Sequence, residues 1–346
     1  MSQHKRRKAD HLALCATGDV GFRARGTLLD QVELVHNALP ELSLAQVDTT
    51  SSLAGRPLRA PFLIAGMTGG VDEAEPLNRA LATVAQELGL GLGLGSMRPL
   101  LEDGVRTGYF LRDVAPDVPL LGNLGAVQAR VAGVTAVARL MEQTGCDALC
   151  LHLNVAQELV QPGGDTDFGG LLDTIARFVR ELPIPVIVKE TGSGVSVGVG
   201  RRLADVGVSW VDVGGAGGTS WVGVETLRER ADAELGELFW DWGIPTAASV
   251  LQLSALPLHL IATGGVNNGL DAARALALGA SVVGLARPFL LAWHDGGVNA
   301  VRARALSLER QLETAMLLTG SRTLADLRQS PRILGPALTA WGALSR

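Results

Sequence analysis

The sequence is short of charge and of aromatic rings. Asp, Glu, Lys and Arg make up 19% of its 346 residues, the aromatic residues 4%, and there is a single tyrosine. A net charge of −5 leaves no general basic surface, so nucleic acid is not an expected partner. The three cysteines, Cys15, Cys146 and Cys150, form neither a paired framework nor a zinc-ligand spacing. A reducing, cytoplasmic setting suits them best. No uninterrupted apolar run reaches 18 residues and Met1–His11 has no apolar segment, so neither a membrane span nor a signal peptide is expected. Lysine is scarce as well: after Lys8 there is only Lys189.

Apolar residues and glycine are abundant instead, at 47% and 43 residues. The glycines fall just after apolar runs, the pattern of a ligand-binding rim and not of a flexible tract. From residue 60 apolar segments recur at Phe62–Ala65, Leu90–Leu94, Leu120–Leu124, Ala148–Leu153, Val186–Val188, Trp210–Val213, His259–Ala262 and Ser281–Ala286. Helix-period stretches separate most of them, at Glu73–Leu88, Ala126–Gln143, Leu171–Leu182, Ser196–Val206 and Leu270–Leu278. Strands apolar on both faces and alternating with helices predict an α/β fold, a (β/α)8 TIM barrel. A doubly wound sheet is the alternative, but no segment reads G-x-G-x-x-G; Gly91-Leu92-Gly93-Leu94-Gly95 has the wrong spacing. The expected organisation is one domain. Residues 1–59 form an N-terminal arm and lead-in packed on the barrel, and residues 60–346 form the barrel. Within the lead-in, a short strand is expected at Leu42–Val47 and a turn at Gly55-Arg56-Pro57. The long connection Trp221–Leu256, with Trp221, Trp240 and Trp242, reads as helical insertions over the barrel mouth, as a subunit contact or as plain surface packing.

Barrel active sites lie at the C-terminal strand ends. The fourth strand ends in His152-Leu153-Asn154-Val155-Ala156-Gln157-Glu158, a polar cluster leaving a buried run for a Pro/Gly loop. His152 and Asn154, two apart, share the face toward the barrel axis. Glu158 has the chemistry of a Mg²⁺ ligand that works with substrate phosphates. Strands 7 and 8 end in Gly264-Gly265 and Gly284–Arg287, where backbone N–H groups and a helix start suit a phosphate. Lys189, at the end of strand 5, must find an anion. Three readings stay open for it: a flavin N1–C2 carbonyl contact, a Schiff base, or a salt bridge with Glu190. The last is disfavoured because neighbouring strand residues face opposite ways. The cluster at residues 4–8 is either a solvated tail or an arm that brings Arg7 and Lys8 to a phosphate.

These segments resemble a known family. Arg7-Lys8-Ala9-Asp10-His11, Met67-Thr68-Gly69-Gly70, Gly95-Ser96-Met97-Arg98, His152-Leu153-Asn154 with Gln157-Glu158, Gly217-Gly218-Thr219, and Gly264-Gly265 with Gly284–Ala286 occur in the order seen in type 2 isopentenyl-diphosphate delta-isomerases. The resemblance spans nearly the whole chain. It implies an FMN-dependent isomerase that interconverts isopentenyl and dimethylallyl diphosphate by a 1,3-proton shift. Reduced FMN, Mg²⁺ and NADPH as reductant are implied, and so is a homo-oligomer, a tetramer or octamer. Carried over position by position, Met67, Thr68, Ser96, Asn123, Lys189 and Thr219 contact FMN, and Gly264, Gly265, Ala286 and Arg287 surround its phosphate. Arg7, Lys8, Ser96, Arg98, His152, Asn154 and Gln157 hold the substrate, Gln157 acts in catalysis beside reduced FMN, and Glu158 binds Mg²⁺.

The chain departs from that pattern at four positions. Gly214 stands where Ser is common, Ala216 and Asn267 where Arg is common, and Gly163 where an acidic residue is common. Arg287 is expected to supply the charge that Gly214 and Asn267 leave out near the cofactor phosphate. The rival reading is an FMN oxidoreductase of the 2-hydroxy-acid oxidase type. It needs a His base and an Arg clamp where strand 6 reads Gly214-Gly215-Ala216-Gly217.

Overall fold

A computed structural model describes residues 3–228 and 232–345. Eight parallel strands close into a barrel: β1 (Phe62–Ile64), β2 (Gly91–Gly93), β3 (Leu120–Gly125), β4 (Ala148–Leu153), β5 (Val186–Glu190), β6 (Trp210–Asp212), β7 (His259–Ala262) and β8 (Val282–Leu285). The ring closes where β8 pairs with β1, in register Gly284 to Leu63. This is the predicted fold, with element ends moved by a residue or two.

The strands are apolar on both faces because both faces are covered. Residues such as Ile64, Leu92, Leu124, Leu151, Val188 and Val283 pack outward under the helices, while Leu63, Leu121, Cys150, Ile187, Trp210, Ile261 and Val282 fill the interior. Each fully buried aliphatic side chain contributes roughly 1.5–3 kcal/mol. The lower interior is sealed by a hairpin, Ser51–Leu53 paired with Arg56–Leu58, which inserts Leu53 and Leu58 into that cluster. Its two-residue turn, Ala54-Gly55, has positive φ at both positions, which matches the twist of the paired strands. The expected strand at Leu42–Val47 is not formed; Leu44–Gln46 is a 3-10 turn with a Ser43/Gln46 capping box. The lead-in strands lie instead at Val32–Leu34, which pairs with Arg332–Leu334, and in the hairpin.

Two residues further up the strands β3 to β7 the interior changes character. Leu121 gives way to Asn123, Cys150 to His152, Ile187 to Lys189, Trp210 to Asp212 and Ile261 to Thr263. The period of two keeps these side chains on the inner face. The barrel thus has a polar arc, from β3 to β7, on an apolar plug.

The candidate active site

Every candidate residue named above lines one cavity of about 430 Å³ at the C-terminal end of the barrel. That is within the usual range for ligand sites. The cavity has a roof that the sequence left undecided between tail and arm: the helix Gln3–Thr17, which carries Arg7, Lys8 and His11 into it. The side chains at residues 4–6 of the basic cluster lie outside the described residues.

Lys8 donates to the carbonyls of Gly69 and Ser96 and to Tyr109 Oη, the last two at 2.9 Å. All three acceptors are neutral, and no carboxylate among the described residues pairs with Lys8 or Arg7. Burial, and then the charge of Arg7, bring the Lys8 pKa down to about 7. Burial likewise lowers Arg7. Arg7 feels the charges of Glu225 and Glu158 without a direct ion pair to either, while Lys8 has neutral partners only, an arrangement that suits an anion. Arg98 faces the same space, though its Nε is held at 2.9 Å by Glu102 one turn along its own helix.

On the β4 edge, His152 Nδ1 lies 2.8 Å from Asn123 Oδ1, and Asn123 Nδ2 donates to Leu94 O at 3.1 Å. Since the Asn123 oxygen is the acceptor, His152 carries its proton on Nδ1 and leaves Nε2 bare. Burial, with Lys189 and Lys8 nearby, lowers the His152 pKa to about 4. Asn154 Nδ2 donates to Glu158 Oε1 at 2.8 Å, and Gln161 Nε2 and the Asp165 amide donate to Glu158 Oε2. These donors are neutral and no cation pairs with Glu158 among the described residues. Its charge suits a hard cation shared with substrate phosphates, although no group of three or more His, Cys, Asp or Glu among the described residues could hold a metal alone.

Gln157 meets a residue that the sequence reading missed. Its Nε2 donates at 3.0 Å to Oε1 of Glu225, a carboxylate with no exposed surface on the helix Trp221–Thr226. His11 Nε2 reaches the same oxygen at 2.8 Å, and Arg228 takes the other. Burial opposes ionisation of Glu225. The hydrogen bond and charge of His11, the hydrogen bond from Gln157 and the Arg228 charge outweigh it and hold the pKa at about 2. Burial lowers the His11 pKa against the opposing pull of Glu225. The long connection covers the mouth as one reading of it expected: Trp221 lines the cavity, Trp240 is buried against Gly223, and Trp242 is exposed.

Lys189 also has an unforeseen partner. Its Nζ lies 3.0 Å from Asp212 Oδ2, not against the Glu190 carboxylate. Glu190 turns outward to accept from the amides of Gly192, Ser193 and Gly194, and burial raises its pKa to about 7. A registered neighbour of Lys189 on β6, Asp212 was readable by the same two-residue step that singled out His152 and Asn154.

At the opposite wall, β7 and β8 offer main chain. The amides of Gly264, Gly265, Val266 and Ala286 have no acceptor among the described residues, and the Arg287 amide opens a helix. Gly265 has φ +73°, and a Cβ there would meet Gly217 O at 2.5 Å. Glycine is therefore required by the approach of the strand-6 loop, and that approach leaves the amides facing the cavity. Gly214 is fixed the same way, since a Cβ would lie 2.0 Å from Glu190 O; this accounts for one departure from the family pattern. Arg287 lines the rim, but it donates to the carbonyls of Cys15 and Gly18 at 3.0 and 3.1 Å, tying the rim to the end of the N-terminal helix. Thr68 Oγ1 is buried without a partner among the described residues, an orphan polar atom at the cavity wall. Free amides, the Thr68 hydroxyl and the ammonium of Lys189 fit a flavin mononucleotide.

Fold and cavity together define a phosphate-binding barrel enzyme of the flavin class. The family model for FMN-dependent dehydrogenases matches residues 165–333. A mandelate oxidase variant solved with an FMN adduct superposes with TM-score 0.69 over 94% of this chain and 95% of its own, at 21% identity, which shows the shared fold. The chain is 45% identical to isopentenyl-diphosphate delta-isomerase of Methanosarcina mazei over 97% of its length and 92% of the relative's. It is 46% identical to the enzyme of that name from Xanthobacter autotrophicus, over 94% and 96%. The chain belongs to the isopentenyl-diphosphate delta-isomerases.

Proposed function

We propose that the protein interconverts isopentenyl and dimethylallyl diphosphate by a 1,3-proton shift. The observation that carries this reading is that one cavity holds the buried cations Arg7 and Lys8, neither in a direct ion pair among the described residues, on one side and free rim amides on the other. The rim takes the FMN phosphate, with Met67, Thr68, Ser96, Asn123, Lys189 and Thr219 along the ring system. Arg7, Lys8, Ser96, Arg98, His152 and Asn154 hold the substrate diphosphate, and Glu158 holds Mg²⁺ between protein and phosphates. Reduced FMN, with NADPH as the expected reductant, supplies the proton-transfer chemistry at the alkene.

The protein's own part would be to anchor the diphosphate so that the five-carbon tail is presented to Gln157 in the same cavity. Gln157 cannot be a strong acid or base. Glu225 fixes its amide with Nε2 toward the carboxylate and Oε1 away from it. That geometry supports a positioning role, in which Glu225 orients the Gln157 amide so that its Oε1 is free to face the substrate. The protein further reads as a cytoplasmic homo-oligomer, tetramer or octamer. Exposed Leu159, Leu238 and Trp242 support subunit packing, and the free cysteines support a reducing compartment. The hydroxy-acid oxidase reading is weaker: the β6 edge carries no His or Arg, and His152 and His11 are already bonded to Asn123 and Glu225.

The test is to load the protein with FMN, reduce it anaerobically, and follow isopentenyl diphosphate with Mg²⁺ by NMR in D₂O. Deuterium entering both isomers while the flavin stays reduced is expected. Reductant consumed in step with product would instead identify an oxidoreductase.

A further inference from the structure

Asp212 is almost fully buried, 2% exposed, and pairs one of its oxygens with Lys189. Its Oδ2 lies 3.0 Å from Lys189 Nζ, while Oδ1 accepts from the Thr263 hydroxyl and, at 3.2 Å, from the Gly214 amide. Both oxygens are thereby fixed. Lys189 Nζ completes its shell with Glu190 O at 3.0 Å and Thr263 Oγ1 at 3.4 Å. Without the carboxylate, the ammonium would sit in the barrel with neutral partners only, a costly arrangement for a buried charge. The pair is part of the polar arc directly beneath the cavity, and Lys189 itself lines it.

We propose that Asp212 is a positioning residue. Its carboxylate holds the Lys189 ammonium at the barrel mouth as a fixed cation, and through Lys189 it favours reduced over oxidised FMN. The inference deepens the flavin reading and rests on it. Reduction places negative charge on the flavin ring, and a held cation favours that state. Asp212→Asn keeps the shape and can still accept from Thr263 and Gly214. It turns an amide donor on the ammonium, which then has no reason to stay. Loss of the carboxylate's own field would act in the opposite sense, raising the potential, so the direction of change separates the two roles.

The experiment measures FMN affinity and the midpoint potential of bound FMN for the wild type, Asp212→Asn, Lys189→Gln and the double variant. Asp212→Asn should cut the preference for reduced FMN about ten-fold, a fall of about 30 mV for a two-electron couple. In the Lys189→Gln background the fall should be absent, leaving at most the rise from loss of the carboxylate's own field. A rise in potential, an unchanged value, or a full effect without Lys189 would overturn the inference. Should Asp212→Asn not fold, Thr263→Val reads the same carboxylate from its other side. A smaller fall supports the role and no change overturns it. If the wild type itself binds no FMN, the flavin reading fails instead, and the two failures are distinct.

Discussion

The cavity has two rims built on different principles. In the ring order β4 and β8 stand opposite each other. On the β4 side recognition is by side chains: Arg7, Lys8 and His11 from the N-terminal helix and His152, Asn154, Gln157 and Glu158 from the strand edge, with buried Glu225 behind Gln157. On the β7–β8 side it is by backbone, with glycines packed so closely against the strand-6 loop that no Cβ fits. The first rim can change charge and proton content as its ligand comes and goes. The second is rigid and of constant polarity, which suits a cofactor that stays. Variants on one rim should leave the other's ligand in place, and this separation is what experiments can break.

The largest effect is expected at the Gln157–Glu225 contact. Gln157→Leu removes the amide, and Glu225→Gln keeps the shape but removes the charge that orients it. Positioned proton transfer contributes typically 10²–10⁴-fold, so both variants should lose about that much in kcat. FMN content, read from the visible spectrum, should be unchanged. Loss of FMN along with activity would mean that the rims are not independent. Full activity in Gln157→Leu would sink its catalytic role.

An intermediate effect is expected on the backbone rim. In Gly265→Ala the new methyl meets Gly217 O and Thr27 Cγ2, both at 2.5 Å, at φ +73°. Strain of this kind costs roughly 1–3 kcal/mol. FMN affinity should fall by roughly 5- to 150-fold, since 1.4 kcal/mol is about a factor of ten. Fluorescence titration of apoprotein with FMN measures it, and an unchanged affinity would mean that the rim does not bind the cofactor phosphate.

The two rims also differ in how far the sequence revealed them. Periodicity gave the barrel because both faces of every strand are buried, and glycines after β7 and β8 gave the rim because tight turns leave a local trace. His152 and Asn154 were readable from a two-residue step along one strand. Glu225 was not, because its meaning comes from Gln157, 68 positions away, and from His11 on a helix at the other end of the chain. The N-terminal helix remained ambiguous for a related reason. With a mean hydropathy below zero it shows no buried stripe, and what holds it is specific: Lys8 on the Gly69 and Ser96 carbonyls and Arg287 on Cys15 and Gly18. Asp212 could have been found by applying the same two-residue step to β6.

The smallest expected effect concerns Lys8. Its partners in the free protein are neutral, so a diphosphate would be its first counter-charge. Lys8→Met should raise KM for the substrate about ten-fold, the worth of one charge-assisted hydrogen bond, with FMN affinity unchanged. Protons report the same contact. Lys8 has a pKa of about 7 in the folded protein against an ordinary 10.5. Between those values the unfolded chain binds the proton more tightly, so this group's contribution to stability rises as pH climbs through that window. A bound diphosphate reverses the balance by favouring the ammonium. At pH 8 substrate binding should therefore take up protons from buffer, seen by calorimetry in two buffers of different ionisation enthalpy. Below about pH 6 Lys8 is already charged and its share of the uptake vanishes. Lys8→Met should reduce the uptake at pH 8, whereas Gly265→Ala should leave it alone once FMN is saturating. Equal uptake in wild type and Lys8→Met would remove Lys8 from the diphosphate site and leave Arg7, Arg98 and His152 to hold it.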